Sequence, residues 1–304
     1  MYQAIVIIIS FMVEIDMVII KIVKDYLFFL TSRNNIYKIH IVRDIMKFEF
    51  KKSLGQNFLK DENITSKIAN LSDIDKETLV IEIGPGAGSL SKKIIPLSGY
   101  SILYEIDTRL EDTLRNNLYE YNNYEIIFGD FLKQDINNIR KSKKYQKIYV
   151  VANLPYYITT PIITKLMNEL YPDKIVIMIQ EEVANRLAAT YGSRDYGMIS
   201  VLIGSKYDIK KLFKVSRKCF IPEPNVDSAV ICLDKNNKLG DVDEQKFEML
   251  IKQAFQFKRK NLRNNLKKYD LANIDRVLSI YGYTLNNRAE DIPLEIFIEM
   301  TRNL

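Results

Sequence analysis

Histidine, cysteine and tryptophan are scarce in this sequence. Its 304 residues include one histidine, two cysteines and no tryptophan. His40, Cys219 and Cys232 are too few to supply a zinc site built from histidine and cysteine, so we expect no metal. Two cysteines also argue against a disulfide framework and favour a reducing compartment, the cytoplasm. A nucleophile activated by histidine would need His40, which lies in an atypical N-terminal segment, so this chemistry is disfavoured.

The sequence also lacks an apolar run long enough to cross a membrane. Residues 4–13, AIVIIISFMV, are apolar, but Glu14 and Asp16 interrupt the run, and a spanning helix needs roughly 20 apolar residues. No lysine or arginine precedes the run, as a secretory signal would require. Residues 1–45 therefore form an extension with three open interpretations: a membrane-surface helix, a helix packed on the body, or translated sequence upstream of a true start at Met46. We favour the last.

Extreme charge is absent as well. The formal net charge is +6, with 27% charged and 47% hydrophobic residues, a composition typical of a globular protein. A chain of 304 residues has room for one large domain or two ordinary ones. The positive excess indicates a nucleic-acid partner only where the charges cluster.

Apolar runs of strand length recur along the middle of the chain. Each is continuous, as expected for a parallel sheet covered on both faces, and the gaps between them leave room for crossover helices. This alternation predicts an α/β fold with a doubly wound, Rossmann-like sheet. The five runs are 78–84, 101–107, 124–130, 147–153 and 174–180.

After residue 180 the pattern changes, and we expect a small all-helical domain at the C-terminus. Residues 220–233 contain two prolines and then an alternating strand, and residues 234–243 are polar and rich in turn-forming residues. From Glu244 onward the apolar spacing is helical. The predicted divisions are the extension (1–45), the sheet domain (46–236) and the helical domain (237–304).

Glycine or polar residues stand at the ends of four predicted strands. Gly84 opens a G-x-G-x-G turn, whose glycines allow a tight turn and close approach to a ligand. The spacing differs from the G-x-G-x-x-G of dinucleotide sites and suits a cofactor such as S-adenosylmethionine. Glu105 follows about 20 residues later, where an acid can accept both ribose hydroxyls of a nucleoside. Asp130 and Asn153 end the next two strands.

Each of these residues also has an ordinary structural explanation. A tight turn needs glycine without any ligand, and Glu105 or Asp130 can cap the helix that follows its strand. With a ligand present, Asp130 is expected to accept from the exocyclic amine of adenine. Ligands in open α/β sheets bind at the carboxyl ends of strands. Four such ends in sequence order are harder to explain as separate caps, so a nucleoside cofactor site is favoured.

The tetrapeptide Asn153-Leu154-Pro155-Tyr156 ends the fourth strand and indicates methyl transfer to an amino group on a base. Such a nitrogen is a poor nucleophile because its lone pair is delocalised into the ring. The Asn153 side-chain oxygen and the Leu154 carbonyl can accept its N–H protons and turn the lone pair toward the methyl group. Pro155 has no N–H to compete, and Tyr156 offers a face on which a flipped base can stack. An Asx turn with a core tyrosine is the alternative.

Two stretches of the chain are strongly basic. The first basic stretch (206–218) carries six lysines and arginines against one acid, and the second basic stretch (257–268) carries six and no acid. Aromatic or amide side chains are interleaved with the charges, a pattern that suits a phosphate backbone. A single stretch is as readily a solvated helix face, but two in one chain favour RNA or DNA as a partner.

Eight motifs, in this order, resemble those of ribosomal RNA adenine N6,N6-dimethyltransferases over about residues 48–300. They are KKSLGQNFL, EIGPGAGSL, YEID, GDF, NLPYYITTPI, QEEVANRL, FIPEPNVDSAV and FKRKNLRNNL. The resemblance implies a class I methyltransferase sheet. It implies S-adenosylmethionine-dependent dimethylation of N6 on two adjacent adenosines in the 3′-terminal hairpin loop of small-subunit (16S) rRNA. It also implies action on the assembling 30S particle, coupled to its maturation; nothing indicates an obligate oligomer, so a monomer is expected.

The resemblance also implies roles for residues at matching positions. Cofactor contacts are expected from Gln56, Asn57, Leu59, Gly84, Glu105, Asp130 and Asn153, with Gln56 and Asn57 on a lid. Catalytic roles fall to Asn153, Leu154, Pro155 and Tyr156, and stacking on the target base to Tyr156 and Phe220. RNA contacts are expected from Lys258, Arg259, Lys260 and Arg263. Phe257 and Lys258 depart from the family pattern, which is more basic there.

Three other functions share parts of this pattern. A macrolide-resistance-type 23S rRNA adenine N6-methyltransferase would have the same fold, cofactor and N-x-P-[YF] site, but FIPEPNVDSAV and NLPYYITTPI favour the small-subunit enzyme. A ribosome-assembly factor with secondary or lost catalysis is disfavoured by the intact residues 153–156 together with Glu105 and Asp130. A DNA adenine methyltransferase usually carries a larger target-recognition domain than the C-terminal residues provide.

Overall fold

The computed structural model of the protein describes residues 57–142 and 145–304, and the described residues belong to one compact unit. The described part begins at Asn57, immediately before the first strand. Three predictions fall outside it: the nature of the extension (1–45), a true start at Met46 and the lid position of Gln56.

A seven-stranded sheet forms the centre of the described protein. Its strands are β2 (Thr78–Ile83), β3 (Tyr100–Glu105), β4 (Tyr124–Phe128), β5 (Lys147–Asn153), β6 (Lys174–Gln180), β7 (Tyr207–Val215) and β9 (Ser228–Lys235), and two short strands, β1 (Phe58–Leu59) and β8 (Phe220–Ile221), pair separately. The order is β4-β3-β2-β5-β6-β9-β7. The first five are parallel, and β9 and β7 extend the sheet in antiparallel fashion. The predicted Rossmann-like α/β fold is confirmed.

Helices connect the strands and form the C-terminal part. They are α1 (Glu62–Asn70), α2 (Ser91–Ile94), α3 (Glu111–Asn117), α4 (Ile139–Ser142), α5 (Thr159–Lys165), α6 (Glu181–Leu187), α7 (Met198–Gly204), α8 (Glu244–Ala254), α9 (Leu262–Asn265), α10 (Leu271–Ile280) and α11 (Leu294–Arg302). Aspartate starts three of them: Asp61, Asp243 and Asp270 each accept a backbone N–H from the first turn of α1, α8 and α10. Such N-caps satisfy donors that a helix leaves open.

Continuous apolar runs form strands here because both faces of the sheet are covered. All six residues of β2 are buried. Leu79 and Ile81 belong to the apolar core on one face, and Val80, between them, belongs to the core on the other. Strand β5 alternates in the same way, with Val150 on the first face and Val151 on the second. Successive side chains of a strand point to opposite faces, so each strand contributes to both cores.

The first basic stretch is the main feature of the fold that sequence patterning missed. Residues 207–215 are β7, an edge strand of the sheet, and not a helix face. Its ladder with β9 contains a register shift between Lys211 and Phe213. Lysines and local irregularities are common on edge strands, where they hinder pairing with other chains. The lysines give this stretch the composition of a binding surface, but they lie on an edge strand of the sheet.

The C-terminal part is helical, as expected. Residues 244–304 contain helices, turns and one isolated β-bridge between Asn261 and Arg288. A separate apolar core holds them together. This core also includes Tyr196 and Val201, which precede the predicted boundary at residues 236/237. That boundary stays a prediction.

Candidate active site

The glycine turn after β2 lies at the carboxyl edge of the sheet. Gly84 has φ +72° and Gly86 has φ +59°, values in the left-handed region that favour glycine. The Gly84 N–H donates to the Tyr104 carbonyl at 2.8 Å, which ties the turn to the neighbouring strand. A Cβ atom on Gly84 would meet nothing within 4 Å. The backbone therefore borders open space that a ligand can enter.

Glu105, at the end of β3, is held against this turn. Its carboxylate accepts the Gly86 N–H at 2.9 Å and the Asp107 N–H at 2.8 Å. The residue is 4% exposed. Burial raises the pKa of its carboxyl above the ordinary value, and the two backbone hydrogen bonds oppose that rise. The backbone thus orients the acid that was predicted to bind ribose.

Glu82, inside β2, is a second buried carboxyl that sequence analysis missed. It is 1% exposed and lines the same pocket as Gly84 and Glu105. The Ser91 hydroxyl donates to Glu82 Oε2 at 2.6 Å. Burial, reinforced by the nearby Glu105 charge, raises the pKa of Glu82 to about 8. An acid within an otherwise apolar strand run was the available signal, because such residues are rarely buried without a role.

Asn153 ends β5 at the same sheet edge. Its side-chain Nδ2 lies 3.5 Å from the Asn57 carbonyl, a long contact, whereas its side-chain oxygen accepts no hydrogen bond within the described part of the chain. The Leu154 N–H donates to the Met178 carbonyl at 3.1 Å, and the Leu154 side chain is buried. The oxygen is thus available as an acceptor, and neighbouring backbone holds the residue in place.

Tyr156 begins a short 3₁₀ turn after Pro155. Its hydroxyl lies 2.7 Å from the Ser228 hydroxyl at the start of β9. Burial raises the pKa of Tyr156 above its ordinary value, so it is neutral at physiological pH. Ser228 anchors the far end of the ring, a positioning contact that no sequence pattern indicated.

The two-stranded sheet joins β1 to β8, at the start of the proline-containing segment. Leu59 pairs with Phe220, and Phe58 pairs with Ile221. The Phe58 ring also lies close to Gly86, within 2.9 Å of where a Cβ atom would stand. Asn57 and Leu59 line the same pocket as Gly84 and Gly86, and the lid role of Asn57 stays a prediction.

Phe220 does not occupy the position expected of a stacking residue. Its side chain is 2% exposed and belongs to the apolar core that includes Ile68 and Val230. With so little of its surface exposed, the ring is not open to a base in this structure. Phe220 instead holds β8, and through strand pairing β1, against this core.

One pocket collects most of the predicted site residues. Its lining includes Asn57, Leu59, Glu82, Gly84, Glu105, Asn153, Leu154, Pro155 and Tyr156. Asp130 is not part of this lining and caps the 3₁₀ helix after β4, where its carboxylate accepts the Leu132 N–H at 3.0 Å. The capping alternative is therefore observed for Asp130. The expected contact of Asp130 with adenine would use the second carboxylate oxygen, and it stays a prediction.

The two basic stretches differ in structure. In the first, Lys211 and Lys214 form ion pairs with Glu181 at 3.1 and 2.9 Å, and Lys214 also pairs with Asp227 at 3.0 Å. Further pairs join Lys206 to Glu244, Lys210 to Asp234 and Arg217 to Glu223. In the second, all six cations are exposed, and none has an ion pair among the described residues.

Two further predictions concern membranes and metals. Among the described residues, no helix is long and apolar enough to cross a membrane. Within the same part of the chain, no three histidine, cysteine, aspartate or glutamate residues gather in an arrangement suited to a metal ion.

Comparison with known proteins shows that the chain is similar to rRNA methyltransferases. The family model for ribosomal RNA adenine dimethylase matches residues 47–304. Ribosomal RNA small subunit methyltransferase A of Clostridium acetobutylicum is 40% identical over 255 residues, covering 82% of this chain and 92% of that protein. The protein of the same name from Bacillus mycoides is 39% identical over 268 residues, covering 84% of this chain and 92% of that protein.

Solved structures agree with the fold. A dimethyladenosine transferase from Plasmodium falciparum superposes with a TM-score of 0.67 at 25% identity, covering 80% of this chain and 95% of that one. The 23S rRNA methyltransferase ErmE superposes with a TM-score of 0.69 at 24% identity, covering 82% of this chain and 99% of that one. Because the identity to ErmE is only 24%, this similarity supports the fold alone.

Proposed function

The chain belongs to the ribosomal RNA adenine dimethylase family, and we propose on that basis that it dimethylates N6 of two adjacent adenosines in small-subunit rRNA. The methyl donor is S-adenosylmethionine, and the target lies in the 3′-terminal hairpin loop. One observation carries the proposal: the Asn153–Tyr156 tetrapeptide and the carboxyls of Glu82 and Glu105 line a single pocket.

The pocket suits a cationic nucleoside donor. S-adenosylmethionine supplies an electrophilic methyl group carried on a positively charged sulfur. Glu105 accepts the Gly86 N–H of the glycine turn and stands at the strand end from which an acid can accept ribose hydroxyls. Glu82 adds a second carboxyl in the same lining, and ionisation of that carboxyl is favoured when a cation binds beside it. Open space beside Gly84 allows a ligand close approach to the backbone.

Asn153 and Leu154 prepare the target nitrogen for attack. The amino nitrogen of adenosine is weakly nucleophilic because its lone pair is shared with the ring. The Asn153 side-chain oxygen and the Leu154 carbonyl accept its two N–H groups, which brings the nitrogen toward tetrahedral geometry. The proton leaves to water after the nitrogen has attacked, so no histidine is needed. Hydrogen bonds aimed at the developing charge are a large source of rate enhancement.

Tyr156 supplies the stacking face for the flipped base. Its hydroxyl is held by Ser228, so the ring orientation is set before the base arrives. Stacking of a flipped base on an aromatic ring compensates for part of the unstacking cost.

The second basic stretch is the proposed contact with the rRNA backbone. Its expected contact residues are Lys258, Arg259, Lys260 and Arg263, which are exposed. We infer that the partner is the assembling 30S particle in the cytoplasm and that the chain acts as a monomer. Phosphate contacts carry no base information, so the choice of adenosines depends on the position of the target loop relative to the pocket.

The decisive experiment measures methyl transfer from labelled S-adenosylmethionine. The substrates are undermethylated 30S particles and, separately, protein-free large-subunit rRNA, and the modified nucleosides are identified and mapped. We expect N6,N6-dimethyladenosine at adjacent positions of the 3′-terminal hairpin. Labelled methyl groups in large-subunit rRNA would instead assign the chain to the macrolide-resistance type of 23S rRNA methyltransferase. Tight binding to 30S without label would leave an assembly factor.

A further inference from the structure

Phe257 is an exposed aromatic side chain in the loop that joins α8 to α9 (residues 255–261). It is 56% exposed. Two positions earlier, the Phe255 ring packs against Tyr196 and Phe297, with ring centres 6.2 and 5.8 Å apart. The loop therefore directs one phenylalanine into the helical core and leaves the other in solvent, where a large apolar surface is unfavourable.

The backbone of this loop is held from within the protein. Asn265, 1% exposed, donates from its side-chain amide to the Ala254 carbonyl at 2.6 Å and to the Phe257 carbonyl at 3.3 Å. The Lys260 N–H donates to the same Phe257 carbonyl at 2.9 Å. The outward position of Phe257 thus follows from a backbone conformation fixed by a buried amide.

The surroundings of Phe257 are cationic. Lys258, Arg259, Lys260 and Arg263 are exposed, and in the described structure none of them has an ion pair. Residues 255–269 contain no acid. A ligand that brings negative charge is therefore favoured at this loop, and an aromatic face is well suited to the exposed ring.

We propose that Phe257 stacks on an unpaired nucleobase of the rRNA whose flanking phosphates are bound by Lys258, Arg259 and Lys260. This inference rests on the proposed rRNA substrate and adds a base contact to a surface otherwise expected to bind phosphates alone. Aromatic residues interleaved with cations are the usual means of binding single-stranded nucleic acid. Exposed bases in loops and bulges are the part of folded RNA that proteins stack upon.

The site differs from the active-site pocket. Tyr156 serves the base that is methylated, whereas Phe257 lies in the helical part, outside the pocket lining. The nucleotide at Phe257 is therefore a second one, held for docking. An acidic protein partner would also satisfy the charge, but it would not need a planar face beside three cations.

The first measurement is binding of the full chain to undermethylated 30S particles across a series of salt concentrations. Phe257→Ala is expected to weaken binding about tenfold, the scale of one lost stacked base, with the slope of log Kd against log salt unchanged. Phe257→Tyr should retain wild-type affinity. The matched control is Tyr119→Ala, since Tyr119 is 81% exposed but stands beside Glu120 and away from any basic stretch in the sequence.

The second measurement is ultraviolet crosslinking of the wild-type complex followed by mass spectrometry of the peptides. A nucleotide adduct on Phe257 supports the proposal. Affinity of Phe257→Ala within twofold of wild type, or a Phe257 crosslink to a ribosomal protein, would overturn it. Methyl transfer by the wild type to the same particles reports separately on the proposed function, so the two failures are distinguishable.

Discussion

The two basic stretches, 206–218 and 257–268, carry six lysines and arginines each, yet their charges have different surroundings. The first follows the edge strand β7, and five of its six cations form ion pairs. The second lies on a loop and a short helix, where its cations are exposed and, in the described structure, form no ion pair. Composition alone does not distinguish them.

The difference shows that partners remote in sequence decide whether a charge is available. Glu181, Asp227 and Glu244 come from other segments and reach the first stretch only because the chain folds. A paired cation has less need of a phosphate, whereas an exposed and unpaired one retains its full attraction for one. Of the two stretches, the second is therefore the better candidate for an RNA surface, in agreement with the RNA contacts expected from Lys258, Arg259, Lys260 and Arg263.

The largest expected effect is on the rate of methyl transfer, with binding unchanged. Asn153→Ala removes an acceptor for the target amino group and should cost roughly 2–4 kcal/mol of transition-state stabilisation. Affinity for 30S particles should stay near wild type because the second basic stretch is unchanged, and affinity for S-adenosylmethionine should stay near wild type because Glu105 and the glycine turn are unchanged. Single-turnover methyl transfer and equilibrium binding, measured on the same preparation, check this. An equal loss of cofactor affinity and rate would contradict the assigned role.

The second-largest expected effect is a loss of 30S affinity on removal of cations from the second basic stretch. A triple variant, Lys258→Ala with Arg259→Ala and Lys260→Ala, should weaken 30S binding by about a hundredfold at moderate salt. The slope of log Kd against log salt should fall by about 2 to 3, since each phosphate contact contributes about 0.7 to 0.9. Filter binding across a salt series measures both quantities.

A matched triple variant of the first stretch sharpens the contrast. Lys210→Ala with Lys211→Ala and Lys214→Ala removes the same number of cations from the edge strand. Its salt slope should stay within experimental error of wild type, because these cations already pair with acids. If the slope of log Kd against log salt fell equally in the two triple variants, the two stretches would not differ in their contribution to RNA binding.

The two acids of the pocket also differ in their hydrogen-bond partners. Glu105 accepts two backbone N–H groups, whereas the Glu82 carboxyl accepts the Ser91 hydroxyl, and burial raises its pKa to about 8. Below that pH, a cation that binds beside Glu82 favours release of the carboxyl proton. Affinity for S-adenosylmethionine should therefore rise with pH, by up to about tenfold per unit, and level off above pH 8.

Glu82→Gln provides the comparison for this pH dependence. Calorimetric titration from pH 6 to pH 9 should show a flatter profile for the variant, and the difference between the two profiles isolates Glu82. Glu120→Gln, at an exposed position, should follow wild type. Parallel profiles for wild type and Glu82→Gln would show that Glu82 does not ionise when the cofactor binds.

The smallest effect concerns the stability of the edge strand. Ion pairs with Lys214 and Lys211 hold the pKa of Glu181 below its ordinary value of 4.5. A lowered pKa in the folded state means that the stabilisation is complete above pH 4.5 and is lost as pH falls through the folded-state pKa. Glu181→Gln should lower the melting temperature by roughly 1–3 °C at neutral pH. Melting curves should converge in acid, and a gap that persists there would exclude this cause.

Much of the fold and part of the site follow from local patterns. Strands β5 and β6 have the predicted bounds, because a continuous apolar run is typical of a strand covered on both faces. Gly84, Glu105 and Asn153 were expected to meet because carboxyl ends of parallel strands share one edge. The comparisons confirm the family, but the individual roles of these residues stay proposals.

Other residues were not predictable from local pattern. The family resemblance implied that Phe220 stacks on the target base, yet its side chain lies in the core, in a strand that pairs with Leu59. Ser228 acquired its contact with Tyr156 only because β9 adds to the sheet beside β6. Lysines concealed the strand character of β7, since exposed edge positions tolerate charge that interior strands do not.

The amino-acid sequence by itself determined the parallel α/β frame, the glycine turn and the polar strand ends, because these depend on periodicity and residue order along short segments. Tertiary structure alone decided which of two equal basic stretches remains unpaired, which carboxyl has a pKa near 8 and which phenylalanine is buried. Those properties depend on burial and on partners that are distant in sequence. Coulombic attraction and desolvation act through space, and only the folded chain sets those distances.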